Sequence, residues 1–200
     1  TDPARAGQSA VLADIGVHAF NLASFISSRE AEEISADLFT AVPGRRLDDN
    51  AHVMIRWTGG ARGTIVASQT SPGHYNDLSV RIYGERAGLE WHGSRPEELR
   101  FSVFGEETRT IVRGGPGSTD EARRVSRMPA MHLEGYIEAF ANYYRDAADI
   151  IRAHRSGQSI DAARAALVPD VIDGARGVKF VAAAVESNGN GGTWTPARFT

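Results

Sequence analysis

The chain has 200 residues, a formal net charge of −3, 42% hydrophobic and 24% charged residues, and no cysteine. That is the balance of a folded globular domain, and without a basic excess neither nucleic acid nor an anionic lipid surface is an expected partner. Lack of cysteine excludes disulfides, thiolate metal ligands and a cysteine nucleophile, and the longest apolar runs fall far short of the roughly 20 residues of a membrane span, so a cytoplasmic setting away from membranes is expected.

In chain order, Ser9 is a plausible N-cap for a first helix, because Leu12, Ile15, Leu22, Phe25 and Ile26 keep helical spacing until Ser27-Ser28. From about residue 33 to 112 the period changes to two. Strands are predicted over 34–42, 51–57, 63–70, 78–83, 88–91, 99–104 and 108–112. Thr58-Gly59-Gly60 and the segment from Gly84 to Gly88 carry turn chemistry, so consecutive strands are expected to pair antiparallel.

Residues 113–131 are rich in Gly, Pro, Ser and charge and read as a long surface loop. His132 opens a second helix of about six turns, with Tyr136, Ile137, Phe140, Tyr143, Tyr144, Ala147, Ile150 and Ile151 on one apolar face until Gly157. A last helix begins near Pro169, carries Ile172, Ala175, Val178, Phe180, Val181 and Val185, and ends at Ser187-Asn188-Gly189; Trp194 marks a terminal strand.

The order helix, meander, helix, helix predicts an α+β fold: an open, mainly antiparallel sheet with helices packed on one face. Val53, Ile55 and Trp57 alternate with Met54 and Arg56, and Val80 and Ile82 with Arg81 and Tyr83, which leaves a mixed outer face for solvent or another subunit. One domain covering 1–200 is the expectation for this length.

Asp14 and His18 stand four residues apart on the first helix, so they project from nearly the same side. An imidazole suits proton transfer at a hydroxyl near neutral pH, and a neighbouring carboxylate can orient it or accept from a substrate hydroxyl. The same residues also fit a core histidine on an apolar stripe and a first-turn acid favoured by the helix dipole. His74 and Asn76 in the 71–77 turn, and His132 with Glu134 at the second helix start, carry polar atoms suited to substrate hydroxyls, but turn and helix-end chemistry account for them too. His52, His92 and His154 show no ligand-like spacing, so no metal is expected.

The run Asp14-Ile15-Gly16-Val17-His18-Ala19-Phe20-Asn21-Leu22 resembles the D-I-G-x-H-x-x-D-L segment of the glucose-fructose oxidoreductase, inositol dehydrogenase and rhizopine-catabolism (Gfo/Idh/MocA) family. The resemblance continues through 50–63, ending in Gly-Ala-Arg-Gly, through 73–91, through 129–144 with His132-Leu133-Glu134-Gly135-Tyr136, and through 173–194. It implies the C-terminal, substrate-side and oligomerisation domain of that family, with a dihydrodipicolinate-reductase-like sheet.

It further implies an NAD- or NADP-dependent dehydrogenase acting on a CH–OH group of a sugar, inositol or related polyol. His18 would be the general acid/base, Asp14 would orient it or the substrate, and the sheet would join a homodimer or homotetramer. The family's N-terminal Rossmann domain, with its glycine-rich loop and E-K-P lysine, has no counterpart: no G-x-G-x-x-G is present, and Lys179, the only lysine, sits mid-helix. No residue of this chain is therefore expected to bind the cofactor, and the isolated domain is expected to be inactive. Two positions depart from the family pattern, the Gly7-Gln8-Ser9-Ala10 entry to the first helix and Met131 before His132, where glycines are common. A non-catalytic sugar-binding or assembly module with the same fold is the alternative.

Overall fold

The computed structural model describes residues 3–160, 165 and 167–199. The chain forms two compact units, one of Thr1–Tyr75 and Asp170–Thr200, the other of Asn76–Pro169. Both belong to the expected α+β class, with open antiparallel sheets and helices, but the strands make two four-stranded sheets rather than one meander.

In the first unit a short helix α1 (Pro3–Ala6) precedes a π-helical turn (Leu12–Gly16) that runs into α2 (Val17–Ser27). Strands β1 (Ala31–Phe39), β2 (Asn50–Trp57) and β3 (Arg62–Ser68) follow, and after the second unit come helix α5 (Val171–Gly189) and the two-residue β8 (Thr195–Pro196). The sheet order is β3-β2-β1-β8, all antiparallel, and β8 is the terminal strand expected beside Trp194.

Alternation sends Ile34 and Ala36 of β1, Val53, Ile55 and Trp57 of β2, and Ile65 and Ala67 of β3 to one face. There they meet Val11, Leu12 and Phe20 from the first helical segment and Phe180, Ala183 and Ala184 from α5, in a single apolar core. Phe20 stacks on Phe180 with ring centres 4.3 Å apart and on Trp57 at 5.8 Å. Gly177 lets α5 approach α2, since a Cβ there would lie 2.9 Å from Val17 Cγ2. On the opposite face Phe39, Met54 and Val66 stand exposed, the mixed outer face read from the sequence.

The strand limits differ from the predicted ones for a definite reason. The Asp49 carboxylate accepts the N–H groups of Ala41 and Val42 at 2.8 and 3.1 Å, which draws these residues out of the ladder and ends β1 at Phe39. At the β8 edge, Ser187 Oγ accepts from Ala36 N at 3.0 Å and Asn188 Oδ1 from Leu38 N at 2.9 Å. The polar end of α5 thus satisfies β1 donors that two-residue β8 is too short to reach.

The second unit carries β4 (Ser79–Tyr83), β5 (Ala87–His92), β6 (Glu98–Val103) and β7 (Arg109–Val112), paired in sequence order. Its helices are α3 (Asp120–Val125) and α4 (Tyr136–Ser156). The segment predicted as loop over 113–131 therefore holds a helix, capped by Thr119 Oγ1 accepting from Ala122 N. On α4 the aromatic stripe Tyr136, Phe140 and Tyr144 is exposed, and the shielded residue is Asp146, paired with Arg124 through two 2.9 Å bonds. Among the described residues no helix is long and apolar enough to cross a membrane.

Candidate active site

The helix that carries Asp14 and His18 starts where the sequence places it. Ser9 Oγ accepts the Leu12 N–H at 3.2 Å, an N-cap bond to the third residue of the helix. Three further contacts come from outside the helix: Asp48 accepts from Ser9 Oγ at 2.7 Å, Ala10 N at 3.3 Å and Val11 N at 3.1 Å. A half-buried carboxylate thus meets the free donors and partial positive charge of a helix start.

Within this helix the Leu12–Gly16 turn is π-helical, closed by Val17 N–H on Leu12 O. Gly16 is buried beneath Leu12, whose Cδ2 would lie 2.6 Å from a Cβ at that position. Leu12 is itself fully buried, so a larger residue at 16 would strain this turn. π-Turns concentrate at functional sites, and this one contains Asp14 and ends two residues before His18. Its extra residue loosens the one-turn relation that α-helical spacing assigns to the pair. Both side chains are exposed.

Asp14 Oδ2 accepts from Gln69 Nε2 at 3.0 Å. Gln69 stands just past β3, and its own N–H donates to Asp49 O at 2.9 Å. Asp49 is buried, and its carboxylate sits below the usual range: the Ala41 N–H contributes most, burial opposes, and Val42 N–H, Asn50 Nδ2 and Arg45 add to the lowering. Neither Gln69 nor Asp48 was singled out by the sequence. The readable signals were an Asp-Asp-Asn run immediately before a strand and a polar amide at a strand end.

The other predicted residues fall in different settings. His74 belongs to the first unit, in an exposed turn where its N–H donates to Ser71 O at 3.1 Å. Asn76 opens the second unit with a left-handed φ of 48°, a conformation Asn tolerates better than most residues. His132 lies in the turn before α4 rather than on it, and is exposed. The reason is Glu134: its carboxylate accepts the Arg127 and Met128 N–H groups and Arg113 Nη1, while its N–H donates to Glu97 Oε1 at 3.1 Å. Those bonds hold 127–134 in a non-helical turn, with Met131 at φ 67°, and delay the helix to Tyr136.

A dinucleotide cradle needs a glycine-rich turn between a strand of a parallel sheet and a helix N-terminus. Every strand pair of the two sheets is antiparallel, and Gly191 and Gly192 follow the end of α5. The described residues do not form such a cradle. Nor, among them, do three His, Asp or Glu side chains converge as a metal site.

Residues 1–90 match the family described as GFO/IDH/MocA C-terminal domain. The oxidoreductase YfiI of Bacillus subtilis strain 168 is 34% identical over 195 residues, covering 96% of this chain and 49% of YfiI. The chain belongs to the GFO/IDH/MocA oxidoreductase family. An oxidoreductase from Sinorhizobium meliloti superposes with a TM-score of 0.86 at 45% identity, covering 92% of this chain and 51% of that one. The inositol dehydrogenase homolog from Azotobacter vinelandii, solved with NAD+, gives a TM-score of 0.89 at 31% identity over 98% of this chain and 50% of that one. The same protein has been solved with NADH and myo-inositol. The chain spans about half the length of the curated relatives it matches.

Proposed function

We propose that this chain is the substrate-side part of an NAD(P)-dependent dehydrogenase acting on a CH–OH group of a sugar, inositol or related polyol. The observation that carries the reading is the D-I-G-x-H helix itself: Asp14 and His18 are exposed on a buried-core helix whose π-turn and cap are held by Asp48 and Leu12. The likeness to a family of oxidoreductases supports it, as does a relative bound to NADH and myo-inositol.

A nicotinamide, held by residues outside this chain, would supply the hydride acceptor. The residues here serve the proton. As the carbinol becomes a ketone its hydroxyl proton must leave, and His18 accepts it at an imidazole nitrogen; in the reverse direction the imidazolium returns it. Asp14 uses Oδ2 for Gln69, so Oδ1 can accept from a neighbouring substrate hydroxyl or from His18. The test is a cofactor-reduction screen of the full-length protein with NAD+ and NADP+ against hexoses, anhydrosugars and inositols. NAD(P)H formation with one of these classes is expected; sugar binding without cofactor reduction would favour a non-catalytic module of the same fold.

A further inference from the structure

One corner of the first unit ties the start of the Asp14 helix to the end of β3. Asp48 holds the helix through Ser9 Oγ, Ala10 N and Val11 N. Asp49, the next residue, takes the Gln69 N–H on its carbonyl oxygen and closes the 41–45 loop with its buried carboxylate. Asn50 Nδ2 donates to Asp49 Oδ1 at 2.8 Å and to Thr70 Oγ1 at 2.9 Å, and Thr70 N donates to Ser68 Oγ at 3.0 Å. Three consecutive residues therefore fix both backbones from which Asp14 and Gln69 project.

Asp14 needs such a fix. It lies in the π-turn, where ordinary α-helical side-chain directions do not hold, and it is exposed, so the helix alone leaves its carboxylate free to rotate. Gln69 supplies a neutral N–H at 3.0 Å from Oδ2. An amide neither gains nor loses a proton in the working range, so it can hold the carboxylate without competing for the proton that His18 moves.

We infer that Gln69 is a positioning residue that sets the Asp14 carboxylate for substrate, an inference that rests on the reading of Asp14 as a site residue. The experiment measures kcat and KM across pH for the full-length protein, using NAD+ with myo-inositol and with glucose and taking the faster. Gln69→Leu is expected to lower kcat/KM about 10- to 100-fold, the cost of a misplaced contact, with an unchanged melting temperature. In Gln69→Glu the acid limb of the kcat/KM profile moves to higher pH, because two carboxylates in contact do not both stay ionised. Asp14→Asn combined with Gln69→Leu should be no worse than Asp14→Asn alone, since both act through one contact. Full kcat/KM in Gln69→Leu beside a damaged Asp14→Asn would overturn the positioning role. An undamaged Asp14→Asn would overturn the reading of Asp14 as well.

Discussion

Among the described residues, every buried apolar side chain lies in the first unit, whereas the most shielded groups of the second include Asp146, Ser118 and Glu134. Val11, Leu12, Ile34, Val53, Ile55 and Phe180 form a close-packed core under one sheet face in the first unit. In the second, Arg113 pairs with Glu97 and Glu134, Arg124 and Arg145 pair with Asp146, and Arg81 and Arg100 flank Glu90 across three strands. Meanwhile Tyr136, Ile137 and Tyr144 face solvent. The helix that carries Asp14 and His18 is therefore anchored by transferred apolar surface, which is indifferent to pH and salt to first order. The second unit depends on charge geometry, which is not.

The largest expected effect breaks the apolar side of this contrast. Phe180 touches Phe20 ring to ring and is fully buried, so Phe180→Ala should cost about 3–5 kcal/mol in urea unfolding. A loss below about 1 kcal/mol would mean that the core is not close-packed there.

A smaller, pH-dependent effect separates the two units. Among the described residues, the carboxylates held below their ordinary values are Glu90, Glu97, Glu121, Glu138 and Asp146 in the second unit and only Asp49 in the first. Hydrogen bonds from His92 and Arg81 hold Glu90 at about 2 instead of 4.5, and those from Arg124 and Arg145 hold Asp146 at about 2 instead of 3.8. A depressed value means that the stabilisation is complete above the unfolded value and drains as pH falls toward the folded one. Between about pH 4.5 and 2, amide protection is expected to fall first in the second unit, as read by hydrogen exchange corrected for intrinsic rate. Simultaneous loss in both units would erase the distinction.

The smallest effect sharpens the account of the helix that carries Asp14 and His18. Asp48→Ala removes a carboxylate from three helix-start donors and should cost about 1 kcal/mol. Thermal unfolding with exchange at Ala10 and Val11 would read it. Unchanged protection at those two amides would show that Ser9 caps the helix unaided.

Local signals in the sequence carried a good share of this picture. Alternation placed Val53, Ile55 and Trp57 on the core face and Ser9 marked the helix start, while the D-I-G-x-H wording made Asp14 and His18 the candidate pair. What stayed hidden depends on partners distant in the chain. Asp49 ends β1 by capturing the amides of residues 41 and 42, and Glu134 holds His132 off α4 through bonds to 97, 113, 127 and 128. Gln69 meets Asp14 across 55 positions. Period-two runs also could not show that β3 and β4 go to different sheets, because the break lies in pairing rather than in side-chain pattern. The π-turn was equally silent, since a single five-residue turn is too short a window for a change of period to show in the sequence.

The central claim is that His18 moves the hydroxyl proton, and its most direct test is the steady-state kinetics of His18→Ala in the full-length protein with NAD+ or NADP+ and a reactive polyol. The variant is expected to fold and to lose about 100- to 10,000-fold in kcat, the range of a general acid/base. Turnover equal to that of the unchanged protein would contradict the assignment.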